Sequence, residues 1–193
     1  MRLPRRLVLA TKNLDKAREV RAVLAVVAPG VELAEGAGWP DVEESGATLE
    51  ENARLKARAV AAATGLPALA DDTGLEVAAL DGAPGVHTAR FAGPSAGHAA
   101  NRAALLAALA GVADRRARFR TVVALVTPGG GEVLAEGVLE GRITTAERGD
   151  GGFGYDPIFE VEGQTLAEMS EDHKNRISHR ARALAALAAA AEA

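Results

Sequence analysis

The fold is decided by the stretch Ala68-Leu69-Ala70-Asp71-Asp72-Thr73-Gly74-Leu75, in which a short apolar run ends in two adjacent carboxylates. Residues 66–70 predict a buried strand, and residues 71–74 predict the turn at its end. In open α/β sheets, ligands bind outside the ends of the strands. Adjacent carboxylates repel each other there, and a hard divalent cation with oxygen ligands would offset their charge. An ordinary Asx-type turn explains the same four residues equally well, so both interpretations stay open on this stretch alone.

Length and composition exclude several classes of protein. The chain has 193 residues, enough for one large domain or two small lobes with a hydrophobic core, and its formal charge of −4 gives no basic field for nucleic acid. It has no run of roughly 18 apolar residues that could span a membrane. Without cysteine it has no thiolate ligand or nucleophile, and its histidines lack the spacing of a zinc site. We therefore expect a soluble, cytoplasmic protein with no nucleic-acid or membrane partner.

A polar turn follows the first predicted strand, at residues 7–10. It reads Thr11-Lys12-Asn13-Leu14-Asp15-Lys16 and precedes an amphipathic helix whose apolar residues recur with helical spacing: Val20, Val23, Leu24 and Val27. A strand, turn and helix in this order direct backbone N–H groups and the positive end of the helix dipole toward an anion. The turn lacks the glycines of a Walker loop. A plain strand–helix connection capped by Asn or Asp explains it as well.

A second helix and an acidic loop come next. Loop 36–46 contains an acidic cluster that is either solvated or supplies a metal ligand: Asp41, Glu43 and Glu44. Thr48-Leu49-Glu50-Glu51 is a capping box, which predicts a helix from residue 49 to about 64, ended by Gly65. Asn52 and Lys56 share one face of that helix, although a lysine on a helix is usually solvated. Further segments predict a strand at 31–34, an irregular strand or short helix at 75–80, a long loop at 83–94, a helix at 101–110, and a hairpin of 118–127 with 133–143.

A glycine-rich segment with two aromatic residues occupies 149–159. Its glycines allow the backbone to approach a ligand closely or to adopt positive φ. They do not fit a dinucleotide-binding motif, because Asp156-Pro157 and the apolar run behind it predict a strand. Phe153 and Tyr155 suit stacking on a planar ring. A glycine-rich hairpin anchored by its aromatic residues is nearly as good an explanation.

The C-terminal part predicts two helices. Thr165-Leu166-Ala167-Glu168 is another capping box, which predicts a short helix. The final helix is predicted over 178–191, with Ser178 as its N-cap. His179 and Arg180 then lie in its first turn, where the helix dipole disfavours a cation. Their position indicates an anionic or electron-rich ligand, although a lone histidine is more often structural.

The chain resembles the inosine/xanthosine triphosphate pyrophosphatases, a family that removes deaminated purine nucleotides. The resemblance runs nearly end to end and rests on motifs in matching order: Ala10-Thr11-x-Asn13-x-x-Lys16, Glu43-Glu44-x-Gly46, Glu51-Asn52-Ala53-x-x-Lys56-Ala57, Ala70-Asp71-Asp72-Thr73-Gly74-Leu75, Gly82-Ala83-Pro84-Gly85-Val86-x-x-Ala89-Arg90, Gly152-Phe153-Gly154-Tyr155-Asp156-Pro157-x-Phe159 and Ile177-Ser178-His179-Arg180. Two positions depart from the family pattern. Lys12 stands where glycine is frequent, and Thr73 stands where serine is common.

The resemblance implies an α/β fold with a mixed central sheet flanked by helices, in a single domain over residues 1–193 whose two lobes have the active-site cleft between them. It also implies a homodimer, dependence on Mg²⁺, and conversion of ITP, dITP or XTP with water to the monophosphate and pyrophosphate. Asp72 would be the general base and, with Glu43, a metal ligand. The implied substrate-binding residues are Thr11, Lys12, Asn13, Leu14, Asp15, Lys16, Lys56, Thr73, Phe153, Gly154, Tyr155, Asp156, Lys174, His179 and Arg180.

By the same resemblance, the first polar turn holds the triphosphate, residues 153–156 and Lys174 enclose the base and sugar, and His179 with Arg180 reads the purine edge. A 6-oxo group would accept hydrogen bonds there, whereas the 6-amino group of adenine would leave buried donors unpaired, which discriminates by roughly 10⁴ or more. Guanine shares the 6-oxo group, so rejection of GTP needs a second feature near C2.

Two other functional classes compete with this one. A phosphatase of the haloacid dehalogenase type requires the order Asp-x-Asp-Gly-Thr, whereas the carboxylates of Asp71 and Asp72 are adjacent. A nucleotide-binding sensor that has lost catalysis would bind ITP with Mg²⁺ and never turn it over.

Overall fold

The computed structural model describes residues 2–34 and 38–192, and the first two residues of the predicted loop at 36–46 lie outside this part. The strands are β1 (Arg6–Leu9), β2 (Glu32–Leu33), β3 (Ala68–Val77), β4 (Pro84–Gly85), β5 (Arg116–Val126), β6 (Glu132–Ile143), β7 (Phe159–Val161) and β8 (Gln164–Thr165). The helices are α1 (Leu14–Val27), α2 (Leu49–Thr64), α3 (His98–Ala108), α4 (Glu171–Ile177) and α5 (His179–Glu192). No helix in the described ranges has both the length and the apolar character to cross a membrane.

The strands form one mixed sheet in the order β2-β1-β3-β5-β6-β7-β8, with β4 paired to β3 off this path. β1 is parallel to both β2 and β3, and Val8 lies opposite Ala68. Parallel neighbours need long crossover connections, which α1 and α2 supply here. β7 is antiparallel to β6 and β8. The predicted α/β fold with a mixed central sheet flanked by helices is confirmed.

The chain divides into two compact units. The first unit comprises the described residues up to 72, together with 121–137 and those from 179 onward. Its core packs α1 and α5 residues against β1, and its members include Val20, Leu24, Leu184, Leu187 and Leu7. Each fully buried leucine contributes roughly 1.5–3 kcal/mol relative to an exposed one. The helical spacing of valine and leucine in α1 therefore buries one stripe of this helix in the core.

The second unit comprises residues 73–120 and 138–178. The rings of Phe119 and Phe159 pack in its core with centroids 4.6 Å apart. Arg115 is also buried there, and its guanidinium donates to three backbone carbonyls, those of Leu109, Ile143 and Thr144, at 2.6–2.8 Å. This side chain therefore satisfies one carbonyl directly after α3 and two at the end of β6, where the regular hydrogen-bond patterns stop.

The acidic stretch is part of a strand. The prediction of a turn at 71–74 is wrong, because β3 continues without interruption to Val77. Leu75 and Val77 are fully buried, and Leu75 lies opposite Gly85 of β4 in an antiparallel pair. Burial and pairing of these later residues keep the backbone extended and override the local turn preference of Asp-Asp-Thr-Gly.

The two capping boxes have different outcomes. In the first, Thr48 Oγ1 accepts from Glu51 N at 3.1 Å and the Glu51 carboxylate accepts from Thr48 N at 3.3 Å, so the predicted start of α2 is confirmed, as is its end at left-handed Gly65. The second prediction is wrong. Thr165 lies in β8, where its hydroxyl donates to a backbone carbonyl, and the next helix, α4, begins only after Ser170.

The predicted loop at 83–94 contains the short strand β4 and a 3₁₀ turn, Thr88–Arg90, whereas α3 and α5 agree with the sequence to within a few residues. α3 begins three residues earlier than the predicted start at residue 101, and α5 begins directly after the extended residue Ser178. The hairpin of β5 and β6 is confirmed by their adjacent places in the sheet. Asp156-Pro157 first forms a 3₁₀ turn, Asp156–Ile158, and the predicted strand follows only at β7.

Candidate active site

The first polar turn caps α1. Asn13 Oδ1 accepts from the backbone N–H groups of Asp15 and Lys16, at 3.0 Å each, and Thr11 Oγ1 accepts from Asn13 N at 3.2 Å. The interpretation of this turn as an Asn-capped connection is therefore confirmed. Leu14 opens the helix with 80% of its surface exposed. The capped helix still presents its positive dipole end on this side, so the turn stays compatible with an anion.

Lys12 forms an ion pair with Asp41 of the acidic loop. Both side chains are largely exposed, and the hydrogen bond and charge of Lys12 lower the pKa of the Asp41 carboxyl. Such a surface pair contributes little to stability. Lys12, which departs from the family pattern, is therefore paired with Asp41.

Asp72 lies on β3 against the polar face of α2. Its Oδ1 accepts from Lys56 Nζ at 2.9 Å, and its Oδ2 accepts from Asn52 Nδ2 at 3.3 Å. The prediction that Asn52 and Lys56 share one helix face is confirmed, since both contact one carboxylate. Lys56 Nζ also donates to Glu44 Oε1 at 3.0 Å, so the acidic loop reaches this cluster through Glu44.

Asp71 has a separate set of cations. Arg180 Nε and Nη2 donate to Asp71 Oδ2 at 3.3 and 3.2 Å, and Lys16 Nζ lies 3.2 Å from the same oxygen. Arg180 Nη1 donates to Glu19. Arg180 is only 2% exposed, so its guanidinium is a buried link between α5, β3 and α1. In this arrangement its donors face two carboxylates rather than open space.

The two aspartates have opposite pKa shifts. Burial disfavours the charge of Asp71, but Lys16, Arg180 and Lys56 outweigh it and hold the pKa of this carboxyl far below its ordinary value. Burial raises the pKa of Asp72, and Lys56 and Lys16 offset this only in part, so its pKa lies above the ordinary value of 3.8. A carboxylate with the higher pKa is the better proton acceptor. Of the two, Asp72 is therefore the better candidate for a general base.

The carboxylates of Asp72 and Glu44 could hold a divalent cation only together with ligands from outside the protein. Asp72 and Glu44 both contact Lys56, and the predicted ligand Glu43 is exposed, as Glu44 is, at the neighbouring position of the loop. Across residues 2–34 and 38–192, no group of three or more acidic or histidine side chains is arranged around one metal position. Mg²⁺ is commonly held by one or two protein carboxylates, with water and substrate phosphates as its other ligands.

A second cluster lies in the second unit. Lys174 Nζ donates to Asp156 Oδ2 at 2.6 Å and lies 4.9 Å from the centroid of the Phe153 ring. The same Asp156 oxygen accepts from Phe153 N at 2.8 Å. Gly152 has φ +68°, and a Cβ there would lie 2.1 Å from Asp156 Oδ2. The glycine is therefore required for the close approach that places a half-buried aromatic ring beside a buried lysine.

Tyr155 belongs to the core of the second unit. Its ring is buried among apolar residues, its hydroxyl donates to Thr88 O at 2.9 Å, and burial raises the pKa of its hydroxyl. The predicted stacking role of this side chain is wrong, because the ring is only 4% exposed. The interpretation of the segment as anchored by an aromatic residue is correct for Tyr155. A stacking role for Phe153 stays a prediction.

His98 and Arg102 of α3 also belong to this second cluster, and neither was predicted from the sequence. Arg102 Nη1 donates to Gly154 O at 2.9 Å, and its Nε donates to Glu147 at 2.9 Å. The ring of His98 lies 6.3 Å from that of Phe153, measured between centroids. Their spacing of four residues puts His98 and Arg102 on one helix face, and this spacing is the sequence feature from which they could have been predicted.

His179 lies at the start of α5 with its Nδ1 atom 2.6 Å from Thr121 Oγ1 of β5. Both residues are buried. A Cβ on Gly137 of β6 would lie 2.1 Å from His179 O and 2.3 Å from Ala183 N, so α5 packs directly on the strand backbone at this glycine. Thr121 and Gly137 also escaped the sequence analysis, because only the fold brings them to His179.

The predicted site residues fall into two groups by unit. The first unit holds Thr11, Lys12, Asn13, Leu14, Asp15, Lys16, Glu43, Lys56, Asp72, His179 and Arg180, and the second holds Thr73, Phe153, Gly154, Tyr155, Asp156 and Lys174. The contacts bring Lys56 to Asp72, Arg180 and Lys16 to Asp71, and Lys174 to Phe153 and Asp156. Thr73 follows Asp72 directly on β3 and is half-buried.

Comparison with known proteins gives consistent matches over most of the chain. Residues 7–190 match the sequence profile of the Ham1 family. A relative from Syntrophobacter fumaroxidans named dITP/XTP pyrophosphatase is 55% identical over 181 residues, which cover 92% of this chain and 78% of that protein. A relative of the same name from Symbiobacterium thermophilum is 55% identical and covers 94% and 92%. The solved structure of a HAM1 protein from Coxiella burnetii superposes with a TM-score of 0.87 at 42% identity, covering 97% of this chain and 99% of that one.

Proposed function

This chain belongs to the Ham1 family, and from that premise we propose that it hydrolyses ITP, dITP and XTP to the monophosphate and pyrophosphate. The names of its relatives support this substrate class. The observation that carries the proposal is Asp72, a buried carboxylate with a raised pKa that contacts Lys56 and Asn52. This combination suits proton abstraction from a water molecule beside a phosphate.

We assign the steps to the chain's own residues. Asp72 takes a proton from water as the water oxygen attacks the α-phosphorus. The bond from the α-phosphorus to the bridging oxygen breaks, and pyrophosphate leaves with its electron pair. Lys16 and Lys56 hold phosphate oxygens, together with the first polar turn, by charge and hydrogen bonding. A Mg²⁺ ion held by Asp72 and either Glu43 or Glu44 would neutralise charge that develops on the phosphates.

We propose that the base binds against Phe153, with Lys174 and Asp156 beside it. Cation and aromatic ring already lie together there, and that pairing suits an electron-rich purine. His179 is the better candidate for the 6-oxo group, because the donors of Arg180 face Asp71 and Glu19.

Product analysis by chromatography tests the reaction with ITP, XTP, GTP and ATP, each with and without Mg²⁺. We expect monophosphate and pyrophosphate from ITP and XTP only, and no turnover after chelation of the metal. Release of orthophosphate would overturn the assigned reaction. Binding of ITP without turnover would favour a nucleotide sensor. We also propose a homodimer, for which light scattering should give twice the mass of one chain.

A further inference from the structure

The Nδ1 atom of the His179 imidazole contacts a buried hydroxyl. Thr121 Oγ1 lies 2.6 Å from Nδ1, and Thr121 is completely buried on β5. A neutral imidazole carries a single hydrogen, on either Nδ1 or Nε2, and the partner at one nitrogen sets which of them carries it. If the Thr121 hydroxyl donates to Nδ1, the hydrogen of a neutral ring lies on Nε2, and if the hydroxyl accepts from Nδ1, Nε2 is an acceptor.

The backbone of His179 is also fixed. Gly137 leaves no space between β6 and the first turn of α5, since a Cβ on it would lie 2.1 Å from His179 O. The next residue, Arg180, is bonded to Asp71 and Glu19. The backbone that carries the imidazole is therefore held in place, and the ring itself contacts Thr121 through Nδ1.

We propose that Thr121 is a positioning residue that determines purine specificity. Its hydroxyl donates to Nδ1 of His179, which keeps the hydrogen of the neutral imidazole on Nε2. An Nε2–H group donates to a 6-oxo purine. A 6-amino purine needs an acceptor at Nε2, which requires the proton to move to Nδ1 and the Thr121 hydroxyl to turn. This inference rests on the proposed function and deepens it, because it explains how His179 is kept as a donor.

Nitrogen-15 NMR of the native chain, labelled at histidine, tests the proton position directly. We expect the ring shifts of His179 to show a hydrogen on Nε2 and none on Nδ1 at neutral pH, with His179→Asn used to assign the signal. A hydrogen on Nδ1 would overturn the proposal whatever the activity of the enzyme. This measurement needs no variant of Thr121 and so does not depend on whether such a variant folds.

The activity arm compares Thr121→Val, which keeps the shape but loses the hydroxyl, with Thr121→Ser, which keeps the hydroxyl. The ratio of kcat/KM for ITP to kcat/KM for ATP should fall roughly tenfold in Thr121→Val, the equivalent of about 1.4 kcal/mol. Thr121→Ser should restore most of it. Thr127→Val is the matched control, because that hydroxyl bonds to Gly131 in the β5–β6 turn.

The outcomes separate the two proposals. An unchanged ratio in Thr121→Val, with a native chain that prefers ITP to ATP, would overturn the role of Thr121 and leave the proposed function standing. A native chain that turned over ATP as fast as ITP would overturn both. A ratio that fell equally in Thr121→Val and Thr127→Val would show a general packing effect and would also overturn the role of Thr121.

Discussion

Asp71 and Asp72 are consecutive residues of β3, yet their carboxylates contact different cations: Arg180 and Lys16 for Asp71, and Lys56 for Asp72. Lys16 and Lys56 act through their charges on both carboxylates, but the hydrogen bonds and the degree of burial differ between the two aspartates. The outcome is one carboxylate with a strongly lowered pKa and one with a raised pKa. The strand thus gives two chemically different acids at adjacent positions.

Replacing Asp72 by Asn should reduce kcat for ITP by about 10²–10⁴-fold, because the amide cannot accept the proton of the attacking water. Pyrophosphate release under saturating ITP and Mg²⁺ measures it. Asp114→Asn, at a partly exposed aspartate paired with Arg116, is the control and should keep native activity. Full activity in Asp72→Asn would remove this residue from the mechanism.

Metal binding should depend strongly on nucleotide. The cluster contains four carboxylates and three cations: Glu19, Glu44, Asp71, Asp72, Lys16, Lys56 and Arg180. Because the cations already neutralise most of the negative charge, a divalent ion alone gains little. A bound triphosphate adds negative charge to the cluster, so a divalent ion then gains more by binding.

Mg²⁺ alone should therefore raise the Tm of the protein, measured by calorimetry, by less than about 1 °C. Mg²⁺ with an inosine triphosphate analogue that has a non-hydrolysable α–β bridge, at about 100 times its Kd, should raise Tm by roughly 5–10 °C. An equal rise with Mg²⁺ alone would mean a metal centre that forms without substrate.

Gly137→Ala should destabilise the protein by roughly 1–3 kcal/mol and lower activity with ITP, since the new methyl group collides with the backbone of α5 at His179. Urea unfolding measures the first effect and product analysis the second. Gly129→Ala is the matched control, because a Cβ there has no neighbour within 4 Å. Similar losses in both variants would contradict a specific contact at Gly137.

Arg102→Gln should raise KM for ITP about 2- to 10-fold with kcat changed less than about twofold. The variant loses the hydrogen bond to Gly154 O, so part of the binding free energy goes to ordering the segment next to Phe153. Steady-state kinetics measure the two constants separately. Arg116→Gln, at an exposed arginine paired with Asp114, should behave as the native chain. A fall in kcat alone would not fit this role.

Glu132 should contribute a pH-dependent share of stability. Burial favours its neutral form, but hydrogen bonds from Arg54 and Arg58 lower the pKa of its carboxyl below the ordinary 4.5. Its contribution is therefore fully present above that ordinary value and is lost as pH falls through the lowered one. Because Arg58 is mostly exposed, we expect Glu132→Gln to cost only about 1 kcal/mol at pH 7.

Urea unfolding of Glu132→Gln and the native chain across a pH series measures this difference, which should shrink to zero in acid. Glu140→Gln, at an exposed glutamate of the same strand, is the control. A difference that stayed constant with pH would assign the loss to packing.

Local signals in the sequence were sufficient for much of the fold. The capping box at Thr48, the left-handed Gly65 and the helical spacing of α1 each act within a few residues, so the sequence shows them directly. The extent of β3 could not be predicted from such local signals. It depends on pairing with β4 and on burial of Leu75, and local turn preference pointed to the opposite conclusion.

The candidate site likewise contains residues that could be predicted and contacts that could not. The resemblance to a family identified Asp72, Lys56 and Lys174, and the structure gives these residues close partners. It could not show that Arg180 lies beside Asp71, 109 positions earlier in the chain, or that the ring of Tyr155 packs in the core. Both facts depend on long-range packing, which leaves no periodic signal in the sequence.

The hydrogen bonds of Arg115 in the second unit should not weaken in acid. Acid unfolding is driven largely by protonation of carboxylates that are paired in the native state. The three acceptors of this guanidinium, the carbonyls of Leu109, Ile143 and Thr144, have no proton to gain in the ordinary pH range. The link between α3 and the end of β6 is therefore electrostatic in character and yet independent of the protonation state of any acid.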